Sequence, residues 1–320
     1  VLFSLNKLQI SKTKKIGFVV LFFILSYSSQ VYSLPKNSIN KNLSFQDFLN
    51  LHYQSQITPL PVLQNHKQPV LDTLSTENIN KKPRNHLSKL VIVIDDIGNN
   101  KSLDTRAAQL PGAVTIAILP HTPFSKSIAE LAHANNKEIM LHAPMESLHD
   151  KPLGDGALTK DLSEEEFKNI LQGNIDSIPH VVGLNNHMGS SLTQDEASMH
   201  LVMQTIQKNN LYFLDSKTTP RSVAAKLAQE YKISHVSRNI FLDNEETFEH
   251  IDAAFKSAIK ISHKTGFAVV IGHPYPSTIK YLENALPELE KQGISLISLS
   301  ELLIAQSEKN KNQQKELAKN

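Results

Sequence analysis

From Lys89 to about Ile304 the chain alternates short apolar runs with longer amphipathic stretches. Leu90 to Ile94 (LVIVI) is an unbroken apolar run rich in β-branched residues, the pattern of a strand buried on both faces. Val114 to Leu119 (VTIAIL) repeats it, and Glu138 to Leu141, Val181 to Asn185 and Leu211 to Leu214 follow as shorter strands. Ile233 to Val236, Phe267 to Ile271 (FAVVI) and Ser295 to Ser298 complete the set. Helical spacing fills the gaps: Ser102 to Leu110, Ser125 to Asn135 with Ser125 as its cap, Ser163 to Ile178, Gln194 to Lys208, Val223 to Glu230, Thr247 to Lys264 and Thr278 to Gln292. The helix from Ser163 opens on a Ser-x-x-Glu capping box, Ser163 and Glu166. Repeated strand-then-helix units imply a parallel sheet, and about eight of them imply an α/β fold of the irregular (β/α) barrel kind.

The flanks read differently. Lys7, Lys12, Lys14 and Lys15 precede a short apolar run, Ile16 to Leu25, and then Val31-Tyr32-Ser33. That order is the order of a signal peptide over residues 1–33, with cleavage after Ser33. The run is shorter than the roughly 20 residues of a membrane span, so membrane attachment is expected only if the segment is retained. Either way the remainder is exported, to a periplasm or another extracytoplasmic space. Residues 34–88, rich in Asn, Lys, Gln, Ser and Pro, read as a flexible polar spacer. Residues 89–304 form the barrel domain, and 305–320 read as a polar disordered tail.

Composition narrows the chemistry. The chain has 320 residues, a net charge of +2, no cysteine and no tryptophan. No basic face is concentrated in the central region, which sets nucleic acid aside as a partner. Disulfides, thiolate zinc sites and cysteine nucleophiles are excluded. Any metal must be held by His, Asp or Glu.

In such barrels chemistry gathers at the carboxyl ends of the strands. Here those ends carry Asp95-Asp96, Pro120-His121, His142 through Glu146, Asn185-Asn186-His187, Asp215-Ser216 and Gly272-His273. One such residue is an ordinary cap or turn. Carboxylates and imidazoles recurring on one rim are what a divalent-metal or substrate site requires, and Asp plus two His is a donor set suited to zinc.

The runs VIVIDDIGNN, LHAPMES, GLNNHMGSSLT, FLDSKTT and VIGHPYPST, in that order, resemble the divergent polysaccharide deacetylase family, a distant branch of the NodB-type carbohydrate esterases. The resemblance spans about Lys89 to Leu303. It implies that Asp95 is the catalytic base, Asp96 and His142 are metal ligands, and His273 is the general acid. It implies zinc or another divalent ion as cofactor and an N- or O-acetylated envelope or extracellular polysaccharide as substrate and partner. Well-understood relatives carry a second His four residues after the first, where this chain has Glu146. Either Glu146 or His187 completes the ligand set, and His187 is preferred because zinc favours nitrogen. The Arg and Tyr of the relatives' third motif are absent from NNHMGS. These departures keep open a binding module that retains the fold without the chemistry. Asp215, Glu146 and Asn186 are expected to touch substrate or to orient the residues that do, Asp215 either against His273 or as a helix cap.

Overall fold

The computed structural model describes residues 87–149 and 151–317. The signal segment and almost all of the spacer lie outside them.

Among the described residues, nine strands form one parallel sheet. β1 (Ser88–Ile97), β2 (Thr115–Ile118), β3 (Glu138–Met145), β4 (Val181–Met188), β5 (Tyr212–Asp215) and β6 (His235–Ser237) lie side by side, and β8 (Phe267–Gly272) and β7 (Ile240–Phe241) follow on the other side of β1. β9 (Ile294–Leu296) pairs with the start of β1, and β2 takes over along the later part of that strand. The helices are α1 (Lys101–Ala108), α2 (Ser125–Ala134), α3 (Glu164–Asp176), α4 (Glu196–Lys208), α5 (Ala224–Glu230), α6 (Phe248–Thr265), α7 (Pro276–Ala285) and α8 (Leu299–Leu317).

The two-faced burial expected of β1 is literal. Leu90, Ile92 and Ile94 pack in the larger core, among residues of the surrounding helices. Val91 and Val93 point the other way, into a second core with Ala117, Met140, Tyr212, Leu214, Val269 and Ile271. Leu299, Leu302 and Leu303 of α8 close this inner core. The buried Glu138 carboxylate, at the start of β3, accepts from Leu299 N at 3.0 Å, Ser300 N at 3.1 Å and the Tyr212 hydroxyl at 2.8 Å. An anion at a helix N-terminus meets the exposed amides and the positive end of the dipole. α8 therefore plugs the amino-terminal end of the strands and leaves the carboxyl end for chemistry.

Between β6 and β7 the sheet is open, and residues 238–239 span the seam. Arg238 Nε donates to Ser216 O at 2.8 Å, and its guanidinium lies 3.6 Å from the Phe241 ring centroid. Asn239 exchanges hydrogen bonds with the Val269 backbone, at 2.8 and 2.7 Å.

Two irregularities set the register that the site needs. β1 slips by one residue against β2 between Ile94 and Ile97, and Asp96 sits there at φ +58°. A bulge re-aims side chains that would otherwise alternate between faces. β4 slips against β3 between Ile139 and Met140, placing Gly183 beside Met140 and Asn185 beside His142. A Cβ on Gly183 would lie 2.1 Å from the Tyr212 ring, so the close approach there requires glycine.

Several elements depart from the pattern-based expectation. Ser125 is the first residue of α2 and not its cap; Phe124 holds that place, and the Ser125 hydroxyl bonds Thr122 O at 3.0 Å. The helix expected to reach Gln292 stops at Ala285 and continues as two 3-10 turns around Pro287, whose ring cannot continue the hydrogen-bond ladder. The strand expected at Ile233 to Val236 begins at His235, and β7 follows it unforeseen. The tail expected to be disordered is helical through Leu317. Its first turn is capped by Glu138 and anchored by three leucines, and the Glu, Lys and Gln residues beyond are good helix formers. The capping box of Ser163 and Glu166 is present as expected.

Candidate metal centre and acid–base site

The bulge in β1 lets two consecutive aspartates reach the same imidazole. His142 Nε2 lies 3.7 Å from Asp95 Oδ2 and 3.1 Å from Asp96 Oδ1. His187, two residues beyond Asn185 on the inward face of β4, places its Nδ1 2.8 Å from Asp96 Oδ1 and 3.1 Å from His142 Nε2. Asp96, His142 and His187 thus bring three ligand atoms together. The spacing is near the roughly 3.3 Å between neighbouring atoms around a tetrahedral zinc ion.

Asn185 fixes the proton arrangement. Its amide nitrogen donates to Asp95 Oδ1 at 2.9 Å and to the Ser216 hydroxyl at 3.2 Å. Its oxygen, 2.8 Å from His142 Nδ1, must then accept. With an ion bound, His142 would keep its proton on Nδ1 and turn the Nε2 lone pair toward the ion. Buried Asp96 Oδ1 has no aligned hydrogen-bond donor among the described residues. Convergent lone pairs around an orphaned carboxylate oxygen fit a bound cation, and His₂Asp suits zinc and other divalent transition metals.

The groups of the cluster also shift one another's titration. Burial opposes the charge on Asp96, but the imidazoles of His142 and His187 outweigh it and hold its carboxyl far below the usual range. Burial also opposes a charged His142, yet Asp95 and Asp96 raise its pKa. For Asp95 burial dominates and raises the pKa, against the lowering charges of His142 and His273. Asp95 is therefore a carboxylate with its basicity increased, tethered by Asn185 beside the cation position.

His273, at the end of β8, faces a different carboxylate. Its Nδ1 is 2.9 Å from Asp243 Oδ1, and its backbone N–H donates to Asp243 Oδ2 at 2.7 Å. The Thr278 hydroxyl donates to the same oxygen at 2.8 Å. Burial disfavours the imidazolium, but Asp243, with Asp95 and Asp96 behind it, pushes the His273 pKa up to about 9. Pairing with Asp243 leaves Nε2 as the nitrogen able to present a proton to a ligand.

The other expected residues lie around this centre. Glu146 is turned away: its carboxylate accepts from Lys160 N at 2.9 Å and the Ser191 hydroxyl at 2.8 Å, and pairs with Lys160 Nζ at 3.1 Å. Of the two alternatives for the third ligand, the described geometry brings His187 to the cluster. Asn186 braces loops, accepting from Ser216 N at 3.0 Å and donating to Met188 O at 2.7 Å. Asp215 accepts from Lys217 N at 2.8 Å in its own turn, and Asp243 holds the place beside His273. His121 bonds Asn174 at 3.0 Å, away from the cluster.

Sequence reasoning missed Asp243 and the tethering role of Asn185. Asp243 follows Ile240-Phe241-Leu242, a strand signal too short to stand out, and Asn185 was visible only as part of an amide-rich strand end.

A curled parallel sheet with its inner core plugged at one end, and aspartates and imidazoles gathered at the other, defines an irregular (β/α) barrel with its polar centre at the strand carboxyl ends. Residues 92–303 match the family model described as divergent polysaccharide deacetylase, and the chain belongs to that family. It is 35% identical over 215 residues to the uncharacterised protein YibQ of Escherichia coli K12, covering 67% of each chain. It is 34% identical over 215 residues to an uncharacterised protein of Haemophilus influenzae, covering 67% of this chain and 76% of that one. The crystal structure of an uncharacterised protein from Agrobacterium tumefaciens C58 matches at a TM-score of 0.66 and 21% identity, over 68% of this chain and 89% of that one.

Proposed function

We propose that the protein is an exported, metal-dependent polysaccharide deacetylase that hydrolyses acetyl groups on an envelope or extracellular glycan. The observation that carries the reading is the convergence of Asp96 Oδ1, His142 Nε2 and His187 Nδ1, with Asp96 Oδ1 buried and lacking an aligned donor among the described residues. Family membership supports the glycan substrate. The basic and apolar N-terminal segment supports export.

Asp96, His142 and His187 would hold the ion. When bound, a divalent ion there supplies Lewis acidity toward water and an acetyl carbonyl. Asp95, its basicity raised by burial and its orientation held by Asn185, takes the proton of the attacking water. His273, kept protonated near neutrality by Asp243, gives a proton to the departing amine or alcohol. Asn185 and Asp243 touch neither proton in flight; each holds its partner in the working tautomer and orientation.

A second reading is favoured by the same short distances. Protons shared within Asp96, His142 and His187 could satisfy the cluster without an ion, in a glycan- or protein-binding module. Acetate release from an N-acetylated glucosamine oligomer distinguishes the two. Deacetylation abolished by chelation, restored by zinc or cobalt, and lost in Asp95→Ala and His273→Ala is expected. Glycan binding without acetate release under any metal would favour the module.

A further inference from the structure

Beside the metal cluster the loops after β3, β4 and β5 enclose an open groove of about 670 Å³. Its floor is knitted together across the loops. The Thr218 hydroxyl donates to Met188 O at 2.8 Å, and Leu148 N donates to the Ser190 hydroxyl at 2.9 Å. Met188 directly follows the ligand candidate His187, so the groove adjoins the reacting centre.

Among the described residues, the charged groups on its walls are of one sign. Lys151 and Arg221 line it, with His149 beside them, and no carboxylate of a described residue does. Neither Lys151 nor Arg221 forms an ion pair with a described residue. The nearby acids are engaged: Glu146 with Lys160, Asp195 with the first turn of α4, Asp215 with its own turn. Asp150, between His149 and Lys151 in sequence, lies outside the described residues. Cations without an ion-pair partner among the described residues, on two different loops facing one groove, suit an anion; the planar Arg221 guanidinium is fitted to two-pronged contact with a carboxylate or phosphate.

We infer that this groove binds an acidic group of the substrate, so that the preferred glycan carries a carboxylate or phosphate near the acetylated sugar. The inference rests on the deacetylase reading for the role of the neighbouring centre, but its test is a binding measurement and needs no turnover.

The test uses the full chain and pairs of probes that differ in charge. For the carboxylate, a hyaluronan tetrasaccharide is compared with chitotetraose. For the phosphate, N-acetylglucosamine 6-phosphate is compared with N-acetylglucosamine. Affinities are measured by calorimetry at 20 mM and 300 mM NaCl, for wild type, Lys151→Ala, Arg221→Ala and the double variant. Both residues are exposed, and thermal melts check that the fold is kept. An acidic probe is expected to bind roughly tenfold more tightly than its neutral counterpart at low salt. The advantage should shrink at high salt and disappear in the double variant. The pair that shows it identifies the anion. Equal binding of acidic and neutral probes, absence of acidic-probe binding, or an advantage indifferent to Arg221 and Lys151 would overturn the inference. Metal content measured on the same samples separates the two proposals. A charge preference without bound metal leaves the groove standing and removes the hydrolase, and bound metal without a charge preference does the reverse.

Discussion

Replacing Asp243 with Asn tests how the acid in this site is made. Asp243 accepts three hydrogen bonds, from the His273 ring, the His273 backbone and Thr278. Asn keeps the shape but loses the charge, and its amide nitrogen cannot accept. The His273 pKa rises from 6.5 to about 9 in the folded protein, and each pH unit is worth about 1.4 kcal/mol, so the imidazolium contributes about 3 kcal/mol. Because the folded value is the higher one, that stability is fully present below about pH 6.5 and is lost as pH rises through about 9. In Asp243→Asn the His273 pKa should fall to 6.5 or below, since burial then acts with less opposition. Metal-free protein titrated by imidazole NMR reads the value directly, and urea unfolding at pH 6 and pH 9.5 reads the linkage. The wild type should lose roughly 2–3 kcal/mol between those pH values from this group, and the variant much less. An unperturbed His273 in the wild type, or one unmoved by the substitution, would refute the reasoning.

Three further outcomes follow from the same geometry. His187→Ala should abolish stoichiometric divalent-metal binding while Glu146→Gln keeps it, as read by elemental analysis; the opposite pattern would place Glu146 in the ligand set. Asn185→Leu leaves Asp95 and His142 without their shared partner, and should cost roughly 1–3 kcal/mol in chemical denaturation and about 10–100-fold in metal affinity. Gly183→Ala forces a Cβ against the Tyr212 ring 2.1 Å away and should lower the melting temperature by several degrees, corresponding to about 1–3 kcal/mol.

How far the sequence could be read depended on the length of each signal. β1 and β8 stood out because both faces of each strand are buried, which leaves continuous apolar runs. The rim followed from the fold, since Asp95, Asp96, His142, His187 and His273 all stand at or just beyond strand carboxyl ends. The bulges at Asp96 and before Gly183 were invisible, because a one-residue slip leaves composition unchanged while reversing which side chains face inward. Asp243 was hidden behind a two-residue strand, and α8 behind a polar tail whose order begins at Glu138, 161 residues before Leu299 in sequence. Contacts this distant leave no local trace.

The central claim is that Asp96, His142 and His187 hold one divalent ion. Elemental analysis of the purified full chain, beside Asp96→Ala and His142→Ala, tests it most directly. The account predicts close to one zinc or similar ion per chain, lost in both variants while their thermal melts stay cooperative. A wild-type chain that stays metal-free after incubation with zinc, cobalt, nickel and manganese would contradict it.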